Sequence, residues 1–234
     1  RTLFPYTTLF RSVVTGKRVY RPLGSTANKT GRIAGDSSTG GSLEFRGILG
    51  TGIFKIFDMA VAQTGLSERE AIEQDYDVVI CHNIKPDKPS YMGGKEMVIK
   101  GIADVATGRL IGAQIVGFEG VDKRIDVFVT AITFKAKVEE LFHLDLAYAP
   151  PFSTTKDPVM YTGMILNNAI HKGRPLMTTR DLDTLMQSGK KYALIDARAT
   201  GQYDKKHIET AENIPHAKIR AATQKMDKDV VTVT

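Results

Sequence analysis

The chain has one cysteine, Cys81, in 234 residues. No internal disulfide can form, so a reducing compartment is expected. No stretch reaches the roughly 18 uninterrupted apolar residues of a membrane-spanning helix. No charged-then-apolar leader opens the chain, so secretion is not expected and a cytoplasmic location is. Neither G-x-G-x-x-G nor the phosphate-cradling G-x-x-x-x-G-K-[S/T] occurs. A nucleotide-binding fold is therefore not expected within the chain itself. The five histidines are scattered without ligand spacing, so no metal site is expected. Acidic residues are scarce in the first fifty positions, which carry eight Lys/Arg against two Asp/Glu. The rest of the chain is balanced. Such a basic cluster suits a phosphate-bearing ligand. Without aromatic–basic interleaving or a groove-reading helix, nucleic acid is not an expected partner.

What is present is ordinary globular material. Hydrophobic residues make up 42% and charged residues 25%, enough to build a core in one large or two small domains. Residues 1–12 have no period and are expected to be an appended, non-native leader. A helix is expected from Gly24 to about Asp36, and a strand pair or one bent strand from Gly47 to Gln63. Ser67-Glu68-Arg69-Glu70 is a capping-box pattern that opens a short helix. Asp77 to His82 reads as a strand and 84–94 as a loop. Residues 95–118 read as an antiparallel hairpin around Ala106-Thr107-Gly108-Arg109. An amphipathic helix follows over 121–136, with Ile125, Val129, Ile132 and Phe134 at helical spacing. A short helix at 138–143 and another over 157–171 complete an α+β unit: an antiparallel sheet with helices on one side. Beyond Pro175, helices alternate with the strands Tyr192–Ile195 and Val230–Val233, the pattern of a partial parallel α/β unit.

Three segments are candidates for chemistry. In Leu146-Ala147-Tyr148-Ala149-Pro150-Pro151-Phe152-Ser153, two prolines force a rigid corner between two aromatics. The corner either packs those rings on its own core or presents them to a partner. The helix start Leu23-Gly24-Ser25-Thr26-Ala27 has small residues that leave backbone amides accessible at the positive end of a helix dipole. It is either a site for an electron-rich group or an ordinary surface helix. Tyr91, in a Pro/Gly-rich loop, is a surface tyrosine on its own evidence. Cys81 reads as a small buried hydrophobe. His82 points to the opposite face of its strand and does not pair with it.

Taken together, Leu23 to Arg32, Gly112 to Gly117 and Leu146 to Pro158 resemble the C-terminal dimerisation domain of flavin-dependent pyridine nucleotide-disulfide oxidoreductases. The branch resembled is that of coenzyme A-disulfide reductases and NADH oxidases, over about residues 17–172. The resemblance implies that 13–43 end an FAD-binding region and that 44–172 form the dimerisation domain. It implies that Leu23, Gly24, Ser25, Thr26 and Ala27 face the flavin of FAD, and that Phe152 belongs on the cofactor side. Asn28 would meet a coenzyme A substrate, with Lys29 and Arg32 suited to its phosphates. Tyr148 would reach across a homodimer to the active site of the other subunit, and Tyr91 would accompany it as a second catalytic phenol. The FAD- and NAD(P)H-binding domains and the redox-active cysteine would lie upstream, and Cys81 matches neither family cysteine.

Leu194-Ile195-Asp196-Ala197-Arg198 together with Asn213-Ile214-Pro215 resembles the first half of a rhodanese domain, over 178–234. Its sulfur-carrying cysteine would follow the last residue. The resulting expectation is a piece of a flavoprotein NAD(P)H-dependent reductase of coenzyme A disulfide, a persulfide or polysulfide. The alternative is a non-catalytic dimerisation and sulfur-carrier adaptor.

Overall fold

The computed structural model describes residues 9–234. The first eight positions of the expected leader lie outside the described residues. Residues 9–11 of that same stretch form a strand, β1 (Leu9–Arg11), antiparallel to β2 (Arg18–Tyr20). Ser12 bridges to Ile48 and is buried. The chain forms two compact units, one running to Leu176 and one from Met177 to Thr234.

In the first unit, α1 (Gly24–Ser38) leads to the antiparallel pair β3 (Gly52–Ile56) and β4 (Met59–Gly65). Next comes α2 (Glu68–Glu73), opened by the capping box seen in the sequence. Ser67 accepts from the Glu70 amide while the Glu70 carboxylate accepts from the Ser67 amide. Then follow β5 (Val78–Pro86), β6 (Glu96–Asp104), β7 (Leu110–Gly117), α3 (Val121–Thr133), a 3₁₀ segment (Val138–His143) and α4 (Pro158–His171). The five strands β3 to β7 form one antiparallel sheet in the order β3-β4-β7-β6-β5.

The period-2 alternation of β6 and β7 decides which face is covered. Met97, Ile99 and Ala103 of β6 and Ala113 and Ile115 of β7 point to one side, and α3 and α4 pack there. Ile99, Ile115, Phe128, Leu141, Val159 and Leu166 have no exposed surface. At Gly101 the absent side chain makes room for α4. A Cβ there would lie 2.6 Å from Thr162 Cγ2 and 3.1 Å from Leu166 Cδ1. On the other face, α2 covers one corner through Ala71, packed with Ile102 and Ile111. The rest of that face carries Phe54, Ile56, Ile84, Val98 and Val116 with exposed side chains.

Two local expectations need correction. The residues 84–86 expected in a loop instead extend β5, because they pair with Glu96, Met97 and Val98. Pro86 is tolerated there because β5 is an edge strand and the sheet needs no amide from it. Phe134 does not belong to the buried stripe of α3. The helix ends at Thr133, Lys135 turns into the left-handed region (φ 59°), and the Phe134 ring is exposed. The short helix expected at 138–143 is present and is of 3₁₀ type.

Cys81 is buried against α4, its Sγ 4.0 Å from the Thr162 carbonyl, and desolvation pushes the thiol up to about 11. His82 points to the opposite, exposed face.

The second unit is a three-stranded parallel sheet of order β10-β8-β9, built from β8 (Tyr192–Asp196), β9 (Glu212–Asn213) and β10 (Val231–Val233). The helices α5 (Thr179–Gln187), α6 (Thr200–Tyr203) and α7 (His216–Thr223) alternate with them. At the end of β8, Asp196 accepts from Arg198 Nε at 2.9 Å and from its Nη2 at 2.5 Å. Arg198 also donates to the Lys206 carbonyl, and Asn213 Nδ2 donates to the carbonyls of Asp196 and Arg198. These bonds brace the loop after β8. The Arg198 side chain is the main reason that the Asp196 carboxyl is lowered to about 2.

Three measurements check this packing. Phe128→Ala should destabilise the first unit by about 3–5 kcal/mol in a urea titration, the cost of emptying a core aromatic site. At pH 8 the native chain should resist alkylation at Cys81 and react fully in denaturant, since a buried protonated thiol is a poor nucleophile. A nuclear magnetic resonance titration should place Asp196 near 2 and return it toward its ordinary 3.8 in Arg198→Met. A folded pKa below the unfolded one contributes stability that is whole above 3.8 and is lost as pH falls through 2.

Candidate functional site

Residues at the N-terminal end of α3 define the centre of the site. Val121, Ile125, Phe128 and Ile132 form the helix's buried stripe, and Arg124 lies on that stripe. Its side chain is 1% exposed, yet each of its nitrogens is bonded. Nη1 donates to the Gly120 carbonyl at 3.2 Å. Nε and Nη2 both donate to Asp157, at 3.1 and 2.9 Å to Oδ2. Nη2 also donates to Ser153 Oγ at 3.2 Å and to the Asp87 carbonyl at 2.9 Å. A charge this deeply buried persists only when it is paired and fully hydrogen-bonded. Gly120 is suited to its place twice over. It adopts φ 67° as the residue preceding α3, and any Cβ there would collide with Arg124 Nη1.

Asp157 in turn caps α4, accepting from the Val159 amide at 3.0 Å, while Pro158 takes the first helical position, where no amide is needed. Ser153 Oγ donates to Asp157 Oδ2 at 2.8 Å. The amides of Phe152 and Ser153 both donate to the Ala149 carbonyl, closing the corner around Pro150 and Pro151. The corner therefore has a buried foot, Ser153, and an exposed rim. Tyr148 is 49% and Phe152 71% exposed. The corner does not pack these two rings on its own core.

A groove of about 420 Å³ runs beside this rim, lined by Asp87, Lys88, Glu119, Gly120, Lys123, Arg124, Ala147, Tyr148, Ala149, Pro151 and Phe152. Two cations flank it. Lys123 Nζ reaches the Ala147 carbonyl at 3.5 Å. Lys88 Nζ bonds Glu119 at 2.5 Å and lies 3.7 Å from Asp87. Glu119 first, with Asp87 beside it, holds the Lys88 ammonium above its ordinary pKa.

Tyr91 sits on the adjoining loop, in a 3₁₀ turn (Ser90–Met92) that leaves it 74% exposed. The loop is pinned by the Asp87 carboxylate, which accepts from the Lys95 amide at 2.6 Å. Among the described residues, no hydrogen bond joins Tyr91 to Tyr148. The residues that hold their two loops are joined through Arg124.

The other expected site residues are on α1. Leu23 precedes the helix in extended conformation, and no described side chain caps the amides of Gly24, Ser25 and Thr26. A Cβ at Gly24 would meet nothing within 4 Å. Only Thr26 of the helix is buried, and Ala27 is exposed. Asn28 Nδ2 folds back to the Gly24 carbonyl at 3.2 Å, and Lys29 and Arg32 are exposed on the same side of the helix as Asn28. None of these residues lines the groove. Arg124, Asp157, Ser153, Lys88 and Lys123 are missing from the sequence-derived site. For Arg124 the available signal is a charged residue at a buried-stripe position. For Asp157 it is Asp-Pro at a helix start.

Among the described residues, no group of three or more His, Cys, Asp or Glu could hold a metal ion, and no helix is long and apolar enough to cross a membrane.

Residues 52–158 match the family "pyridine nucleotide-disulphide oxidoreductase, dimerisation domain". The NAD(P)H sulfur oxidoreductase (CoA-dependent) of Pyrococcus furiosus is 42% identical over 157 residues, 67% of this chain and 35% of that protein. The crystal structure of reduced CoADR-RHD from Bacillus anthracis superposes with a TM-score of 0.89 at 31% identity, covering 96% of this chain and 40% of that one. The NAD-dependent persulfide reductase of A. fulgidus gives 0.77 at 31% identity, with the same coverages. The chain thus spans about two fifths or less of the length of these relatives. All five strands of the antiparallel sheet, α3 and the proline corner fall within the segment that matches this dimerisation domain, and α4 begins at its last residue.

Proposed function

We propose that this chain is the dimer-forming part of an FAD- and NAD(P)H-dependent reductase acting on coenzyme A disulfides, persulfides or polysulfides. The observation that carries this reading is the corner itself. It holds a tyrosine at the rim of a cation-flanked groove on a rigid loop whose foot is buried. Names among the relatives support it: one is a CoA-dependent sulfur oxidoreductase, another a persulfide reductase.

The start of α1 fits a flavin. An uncapped helix end with a side-chain-free first residue, Gly24, leaves amides and space for a ring carbonyl. Leu23 to Ala27 would hold it there. FAD, when bound, supplies the electrons taken from NAD(P)H. The residues of this chain then bind, orient and move protons. Asn28, Lys29 and Arg32 present an amide and two cations to a phosphate-bearing substrate. The Tyr148 phenol donates its proton to the thiolate leaving a cleaved S–S bond and recovers one from water. Tyr91 assists from the neighbouring loop, and Phe152 shields the cofactor side.

The α1 residues do not line the groove of their own chain. A homodimer, in which each subunit lends Tyr148 to the other, would unite them. The second unit is read as the N-terminal half of a rhodanese-like domain, on the strength of its β10-β8-β9 parallel order and the braced Asp196–Arg198 loop. In that role Asp196 and Arg198 stabilise the fold and do not react.

In the complete flavoenzyme, Tyr148→Phe should lower disulfide turnover by about 100-fold or more, the worth of a positioned general acid, with flavin content unchanged. Steady-state kinetics and the flavin absorbance check both. Wild-type turnover would remove the tyrosine from the mechanism and leave the adaptor reading.

A further inference from the structure

Both tyrosines stand on loops, and among the described residues neither phenol makes a hydrogen bond to the groove. Each loop has its own internal bonds, and a single group joins the two. The two N–H bonds of Arg124 Nη2, one of them shared between two acceptors, reach the Asp87 carbonyl, at the base of the loop carrying Tyr91, and Ser153 and Asp157, at the base of the corner carrying Tyr148. The three acceptors belong to two segments about seventy residues apart in sequence. A guanidinium is planar, permanently charged and rigid, so acceptors on one nitrogen are fixed in angle as well as in distance. Resting on the role proposed for Tyr148, we infer that Arg124 is a positioning residue that couples the two tyrosine loops, with Ser153 as its link to the corner. Arg124 meets no substrate in this role. It acts by keeping Tyr148 in register with the residues that face it, and a misplacement on the order of 1 Å is enough to cost about 100-fold in rate.

The coupling separates from mere stability in two ways. Lysine at position 124 retains the charge opposite Asp157 but cannot spread over Asp87, Ser153 and Asp157 together. Ser153→Ala keeps the buried ion pair and removes the two bonds of the serine at the foot of the corner, one from Arg124 Nη2 and one to Asp157 Oδ2.

The experiment has two arms. In hydrogen exchange on this chain, Arg124→Lys should speed exchange in peptides spanning 87–95 and 146–157 together, while the strands 97–117 keep their protection. In the complete flavoenzyme, Arg124→Lys and Ser153→Ala should each lower kcat for disulfide reduction by about 10-fold or more. The rate of flavin reduction by NAD(P)H should be unchanged, and neither variant should slow an enzyme that already carries Tyr148→Phe. Losses that multiply with that of Tyr148→Phe, exchange confined to one loop, or unchanged kcat in both variants would overturn the inference. If Arg124→Lys yields no folded flavoenzyme, Ser153→Ala decides by the same criteria. Wild-type turnover in Tyr148→Phe alone refutes the role of the tyrosine and the inference with it. A loss there without a loss in Arg124→Lys or Ser153→Ala refutes the inference alone.

Discussion

A guanidinium and a carboxylate removed from water organise the first unit. Arg124 and Asp157 are 1% and 3% exposed. Taking both charges out of solvent costs several kcal/mol per ion, and their attraction offsets this only with good geometry and further hydrogen bonds. Gly120, Asp87 and Ser153 supply those bonds. An apolar cluster of the same volume could serve stability as well. It would not fix direction, because dispersion has no preferred angle. The charged pair sets how the start of α3, the start of α4 and the β5–β6 loop stand to one another, and those three places hold the groove.

The sheet and its two long helices supply the stiffness that this arrangement needs. The side chains proposed to meet a ligand sit at element ends and loops, while the element interiors are filled by Ile99, Ile115, Phe128 and Leu166. Precision at a loop comes from anchoring it to such elements. The proline corner is the clearest instance. Its prolines remove conformational freedom, its paired amides close on Ala149, and its serine is sealed beneath, so the exposed rings ride on a short, fixed span.

Much of this was legible in the chain. The β6–β7 hairpin follows from alternation around Thr107-Gly108, the start of α2 from Ser67 and Glu70, and the start of α4 from Asp157-Pro158. Each signal is local, with all partners within a few residues. What was not legible depends on distant partners. Arg124 was not singled out in the sequence, because its partners Asp157 and Asp87 are remote from it along the chain. Pro86 reads as a loop residue until the strand order places β5 at an edge. Phe134 fits a helical period that the chain abandons one residue earlier. The small residues of the α1 start line no part of the groove. Of the groove itself, Tyr148 and Phe152 were legible in the sequence. The buried residues that hold Tyr148 in place were not.

The close approach at Gly101 has a mechanical consequence. α4 rests on β6 where a side chain is missing, and Thr162 Cγ2, Leu166 Cδ1 and Cys81 Sγ crowd the space that a Cβ would take. The first turn of α4 is the seat of the Asp157 cap. Any group added at Gly101 lifts the helix like a wedge under a lever, with Asp157 on the moving arm and the corner attached to it. The groove is thereby calibrated from the middle of the sheet, at a position that lines no part of it.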